Sequence, residues 1–123
     1  MVEAILRTHQ AAISATNLAE VVDTLVRARN QDPDVVRERI ELLMIGGLEV
    51  EPVWLRVMWL ATSLRAEHYH RTKTPVSLAD CICIATAVVL ETDLATTDSA
   101  LGQVARAAGV EVIPLPDSAG VIP

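Results

Sequence analysis

Apolar positions along the chain fall into two rhythms. Leu18, Val21, Val22, Leu25 and Val26 recur at i, i+3, i+4, i+7 and i+8, which predicts a helix from Asn17 to about Ala28. In "DPDVVRERIELLM", Asp32 is a natural N-cap with Pro33 at the first helical position. The stripe Val36, Ile40, Leu43 and Met44 continues that helix, and Gly46-Gly47 stops it. Residues 54–70 are predicted helical, with Leu55, Met58, Leu60, Ala61 and Leu64 near one side. A nearly unbroken apolar helix is expected from Leu78 to about Leu90, and "SALGQVARAAG" (99–109) is a further helix closed by Gly109. Residues 2–9 read as the end of a helix.

Between these lie short stretches of strand character: "AAIS" (11–14, expected buried), "LEVEPV" (48–53), "DLATT" (93–97) and "VEVIPL" (110–115). "RTKTP" (71–75) and the tail "PDSAGVIP" read as loop. Strands separated by helices, with short connections, predict an α/β domain with a mostly parallel sheet. In such sheets ligand-binding residues gather beyond the strand C-termini, at helix N-termini.

A chain of 123 residues is expected to form one domain. Phe is absent and Trp and Tyr total three, so the core must be aliphatic; that argues against recognising single-stranded nucleic acid by base stacking. A net charge of −6 excludes a general polyanion binder, although cations can bridge carboxylates to phosphates. Cys81 and Cys83, two apart on a helix, point roughly 200° away from each other and read as small core residues in a reducing compartment. No run approaches a membrane span and no signal peptide is evident, so a soluble, cytoplasmic protein is expected.

Three acids stand out. "TNLAEVV" (16–22) and "VSLADCI" (76–82) share a polar cap, Leu, Ala, an acid and an apolar run. Asn17 with Glu20, and Ser77 with Asp80, each fit a capping box, and Asp98 fits an N-cap. As a set they also suit an ion. Glu20 follows a strand and turn, Asp98 follows a strand, and Asp80 opens the most apolar helix. Three carboxylates at one end of a sheet repel in a low dielectric, and hard Mg²⁺ or Mn²⁺ relieves that through oxygen ligands at about 2 Å.

At these residues the chain resembles the PIN-domain family, specifically the small VapC-type toxins of toxin–antitoxin pairs. The similarity runs from about Ala11 to Leu115 through "ISATNLAEVVDTLVR", "VSLADCICIATA" and "DLATTDSALGQVARAAGVEVIPL". It implies a three-layer α/β/α fold with a mostly parallel sheet, and a metal-dependent endoribonuclease that hydrolyses RNA phosphodiesters with Mg²⁺ or Mn²⁺ in an acidic cluster. The family's helix glutamate matches Glu20, the aspartate after "SLA" matches Asp80, and that of "T-x-D" matches Asp98, with Thr96 as the accompanying hydroxyl. Implied partners are an RNA substrate, a cognate antitoxin and a second copy in a homodimer. Family members open with a central strand ending in "D-T/S". Here "MVEAILRTH" enters at the following helix, so that strand and its aspartate are expected to be missing, encoded upstream or lost. Asp23, nearly one turn beyond Glu20, is a poor substitute. The alternative function is an inactive PIN-like remnant that only binds an antitoxin or itself.

The remaining polar and aromatic residues have blander readings beside functional ones. His68 and His70 are expected to be solvated rather than zinc ligands. Arg65, Arg71 and Lys73 sit in an exposed helix end and loop, or contact phosphate beside the metal. Arg27, Arg29, Arg37 and Arg39 alternate with acids as a charged surface, Asp93 is a turn residue, and Trp54 and Trp59 are expected to be core or interface anchors.

Overall fold

The computed structural model describes residues 11–116. The helix end expected at residues 2–9 and most of the tail lie outside the described residues. The chain divides into two compact units, Met1–Pro52 and Val53–Pro123.

In the first unit, β1 (Ala12–Ser14) and β2 (Glu49–Glu51) pair in parallel, with Ala12 beside Glu49 and Ser14 beside Glu51. Pro52 follows β2 and has no N–H to extend a ladder. The expected burial of "AAIS" holds only at Ser14, because Ala12 is exposed. Helix α1 (Ala15–Asp23) starts without a loop, two residues before the predicted start. Its N-cap is Ser14, whose Oγ accepts the Asn17 N–H at 3.1 Å. The capping box expected of Asn17 and Glu20 therefore does not form: the serine lies one turn earlier and takes the orphan donor first. A π-helical segment (Thr24–Ala28) continues α1, and the chain turns at Asn30 with φ 53°.

Helix α2 (Pro33–Ile45) begins as its sequence predicts, with Asp32 Oδ1 accepting the Asp34 N–H at 2.8 Å and proline in the first turn. Its stripe is buried at Val36 and half-buried at Ile40, but Leu43 and Met44 are exposed. The run Leu42–Ile45 is apolar all the way round one turn, so no single face can bury it. The helix stops at Gly46, and Gly47 takes a φ of 115° that side chains rarely adopt.

The second unit carries a contiguous aliphatic core. Helix α3 (Leu55–His68) buries Val57, Ala61 and Leu64, at i, i+4 and i+7, against α4 (Leu78–Leu90). Of the expected inner face, Ala61 and Leu64 are buried and Leu60 packs against the core, but Leu55 is exposed and Val57 faces inward instead. Helix α4 matches its predicted bounds and supplies Cys81, Ile84, Ala85 and Ala87 to the core. Strand β3 (Leu94–Thr96), helix α5 (Ser99–Ala107) and strand β4 (Val112–Pro114) complete the unit. β3 and β4 pair in parallel, with Leu94 beside Val112 and Thr96 beside Pro114. The predicted α/β class with parallel strands is thus observed in both units.

Two polar side chains gain local roles on this frame. His70 Nδ1 accepts the N–H groups of Thr72 and Lys73 at 3.2 and 3.0 Å, so it organises its own loop. Arg65 lays its guanidinium over the Tyr69 ring, 4.7 Å from the centroid, while its Nε donates to the Val76 carbonyl at 3.3 Å. Trp54 and Trp59 are not core residues, being 59% and 63% exposed.

Candidate metal centre

Asp80 opens α4 and is only partly exposed. Its Oδ2 accepts the Ser77 N–H at 2.9 Å, and Ser77 Oγ accepts the Asp80 N–H at 3.0 Å. This reciprocal box satisfies two orphan donors, and the carboxylate lies where the helix dipole favours negative charge. The charge thus sits at the helix rim, and the dry part of α4 begins one residue later with the fully buried Cys81. Only Oδ2 is committed, leaving Oδ1 without a hydrogen bond among the described residues.

Asp98 caps α5 in a different way. Its Oδ1 accepts the Leu101 N–H at 3.0 Å, and its own N–H donates to Thr96 Oγ1 at 3.0 Å. Thr96 is buried at the end of β3, so its hydroxyl fixes the backbone from which the exposed Asp98 projects. Again one carboxylate oxygen is used and the other remains. The connection between α4 and β3 is the short turn Glu91–Asp93, which reverses the chain with Glu91 in the left-handed conformation at φ 55°.

Glu20 belongs to the first unit, exposed in the second turn of α1. Asp23, one turn further on, is engaged by Arg27: Nη2 reaches Oδ2 at 3.0 Å and Nε reaches Oδ1 at 3.2 Å. That hydrogen bonding holds the Asp23 carboxyl below its ordinary value and raises Arg27. Asp23 is thus already paired. Within either unit, among the described residues, no three of His, Cys, Asp and Glu converge into a group that could hold a metal ion.

The donor set nonetheless fits a hard cation. Asp80 and Asp98 each keep one carboxylate oxygen, and Mg²⁺ commonly takes one or two carboxylates with waters and substrate phosphate completing its shell. The sulfurs nearby are poor ligands. Burial, and after it the Asp80 charge, pushes the Cys83 thiol up to about 11 and raises Cys81 as well, so neither offers thiolate at neutral pH. Ser77 is the capping partner that the sequence assigned to Asp80, and Thr96, expected as the hydroxyl beside Asp98, holds the Asp98 N–H. Each precedes its aspartate by two or three residues at a helix start.

Comparison with known proteins agrees with this architecture. The PIN domain family profile matches residues 1–107. No curated protein matches the chain in sequence. Among solved structures, VapBC2 from Rickettsia felis, bound to a DNA fragment from its promoter, is similar in fold with a TM-score of 0.67. It is 14% identical, and the alignment covers 91% of this chain and 80% of that one. With the profile spanning most of its length, this chain belongs to the PIN-domain family.

Proposed function

We propose that this protein is a metal-dependent endoribonuclease of a toxin–antitoxin pair, with Asp80 and Asp98 as ligands of Mg²⁺ or Mn²⁺. Family membership supports a nuclease. What supports the site is local: Asp80 and Asp98 each cap the N-terminus of a helix in the second unit, and each keeps one carboxylate oxygen uncommitted among the described residues. A divalent ion bound there would neutralise the scissile phosphate and lower the pKa of a bound water. The chain's own part is to position the carboxylates. Ser77 orients Asp80 through the capping box, and Thr96 holds the Asp98 backbone.

The partners proposed with this reading are an RNA substrate, an antitoxin protein like that of the VapBC2 pair, and a second copy of this chain, in the cytoplasm. Among the described residues no helix is long and apolar enough to cross a membrane. The test is cleavage of a single-stranded RNA panel with Mg²⁺ or Mn²⁺, comparing wild type with Asp80→Asn and Asp98→Asn. Both variants are expected to lose cleavage while keeping their circular dichroism spectra. Cleavage that survives excess chelator would overturn the reading. Antitoxin binding with no cleavage in any divalent ion would also overturn it, in favour of a binding module alone.

A further inference from the structure

Between Arg65 and Lys73 the sequence reverses its overall charge. Arg65, Arg71 and Lys73, with His68 and His70, are offset by a single acid, Glu67, in a chain of net charge −6. Among the described residues none of these cations has an ion-pair partner. The structure holds them in place by other means. Arg65 is half-buried; its Nε donates to the Val76 carbonyl at 3.3 Å and its guanidinium covers the Tyr69 ring at 4.7 Å. Both of its Nη groups are left without an acceptor among the described residues. Arg71 and Lys73 stand on a closed loop: His70 and Thr74 exchange backbone hydrogen bonds of 3.0 and 3.2 Å, and His70 Nδ1 accepts the Thr72 and Lys73 N–H groups.

A guanidinium fixed in this way gives up little side-chain entropy when it binds a ligand. Its planar pair of Nη groups matches the two free oxygens of a phosphodiester. Arg65 also lines a groove of about 410 Å³ with Thr62, Ala66, Tyr69 and Leu78. Leu78 stands in the first turn of α4, two residues before Asp80, so whatever fills the groove lies against the helix end that carries Asp80. One face of the Tyr69 ring is already spent on the guanidinium, which leaves a poor platform for stacking a base. Recognition here falls to charge and to phosphate geometry.

We propose that Arg65 grips a backbone phosphate of a single-stranded RNA, that the groove takes the adjoining nucleoside, and that Arg71 and Lys73 supply charge to neighbouring phosphates. This rests on the ribonuclease reading above for the class of polymer, and it names where the strand is held. Contacts of this kind position a strand without reading its sequence, so binding is tolerant of base identity. A strand anchored at Arg65 passes the first turn of α4, which brings its backbone to the Asp80 end of that helix. Arg65 is then a positioning residue, acting on the strand rather than on the bond that breaks.

Fluorescence anisotropy of a labelled, mixed-sequence single-stranded RNA, titrated with the full chain in excess chelator, tests this apart from the metal site. Wild type is expected to bind in the micromolar range at low salt, with log affinity falling linearly in log salt. Arg65→Ala should weaken binding at least ~10-fold and flatten that slope by about 0.7, the loss of one phosphate contact on a single strand. Arg65→Lys keeps the charge without the fork, so it should recover the slope and only part of the affinity. Arg71→Ala combined with Lys73→Ala, both exposed, should weaken binding by ~3- to 10-fold, and decides the matter if circular dichroism shows Arg65→Ala unfolded. Arg37→Ala, an exposed cation on α2, should change the affinity by less than about 2-fold. No binding at about 100 µM protein, the weak end of non-specific affinity, would overturn the proposal. So would an unchanged salt slope in folded Arg65→Ala, or an equal loss in Arg37→Ala. Displacement by poly-glutamate as readily as by unlabelled RNA would overturn it in favour of an acidic protein segment. Binding through Arg65 with no Mg²⁺-dependent cleavage would instead sink the nuclease reading and leave this grip standing.

Discussion

Asp80 has two duties that can be separated by experiment. Its side chain closes a capping box with Ser77, through hydrogen bonds of 2.9 and 3.0 Å, and its second oxygen is free for a cation. Ser77→Ala deletes one half of the box and touches no proposed ligand. N-cap loss costs about 0.5–2 kcal/mol, near 1 in most hosts. Helix α4 carries Cys81, Ile84, Ala85 and Ala87 into the core, so fraying its first turn is felt globally. For a chain of this length, ~1 kcal/mol lowers the melting temperature by roughly 3–5 °C. Asp80→Asn does the opposite. The amide oxygen can still accept the Ser77 N–H, so only the charge–dipole contribution is lost, about 0.3–1 kcal/mol. Thermal melts by circular dichroism and Mn²⁺ titration calorimetry should therefore cross over. Ser77→Ala melts lower than Asp80→Asn yet binds Mn²⁺ like wild type, whereas Asp80→Asn loses the ion. Equal Mn²⁺ affinity in Asp80→Asn and wild type would show that the carboxylate is only a cap.

Four further outcomes follow from the packing and the backbone. Ile84 is fully buried at the centre of the α4 face, so Ile84→Ala should cost about 2–5 kcal/mol in urea denaturation; a loss under 1 would contradict its place in the core. The Cys83 thiol stands at about 11 against an ordinary 9.0, which favours the protonated folded state. Stability from that source is complete below pH 9 and is lost as pH rises to about 11, by up to ~2–3 kcal/mol, a slope that Cys83→Ala should flatten. Below pH 9, Ellman's reagent should react with neither thiol until the protein is unfolded. Gly109 has a φ of 84° and nothing within 4 Å of an added Cβ, so Gly109→Ala tests backbone strain alone and should destabilise by about 1–2 kcal/mol in the same melts.

Legibility in the sequence depended on whether the local signal was unique. Helix α4 was readable to the residue, because Ser77 and Asp80 mark its start and an uninterrupted apolar run follows. The Asp32-Pro33 start of α2 was equally plain. At α1 two cap-type residues compete, and Ser14 prevails because β1 delivers it directly into the helix, which sequence spacing does not reveal. In α3 periodicity found Ala61 and Leu64 but misplaced the first turn: with apolar residues on both faces, the inward choice between Leu55 and Val57 is undetermined until α4 is in place. That ambiguity hid the exposure of Trp59 and Leu55. Asp80 and Asp98 were legible as a pair because each follows a cap or strand end. Glu20 was singled out beside them through family resemblance, since the capping box that its spacing suggested does not form and its own turn of α1 carries no cap or strand end.

The parallel strand pairs also impose an order on how the chain folds. Neither ladder can zip from a tight turn; each must wait for the helices between its strands to form and bring the ends together. The span from Ala15 to Leu48 that separates β1 from β2 is roughly twice that from Thr97 to Glu111 separating β3 from β4, an extra closure cost of about 0.6 kcal/mol. The β3–β4 ladder is therefore the earlier of the two to assemble. As a nascent chain leaves the ribosome, both strands of the first pair are synthesised before the second, yet the later-made pair closes the more readily.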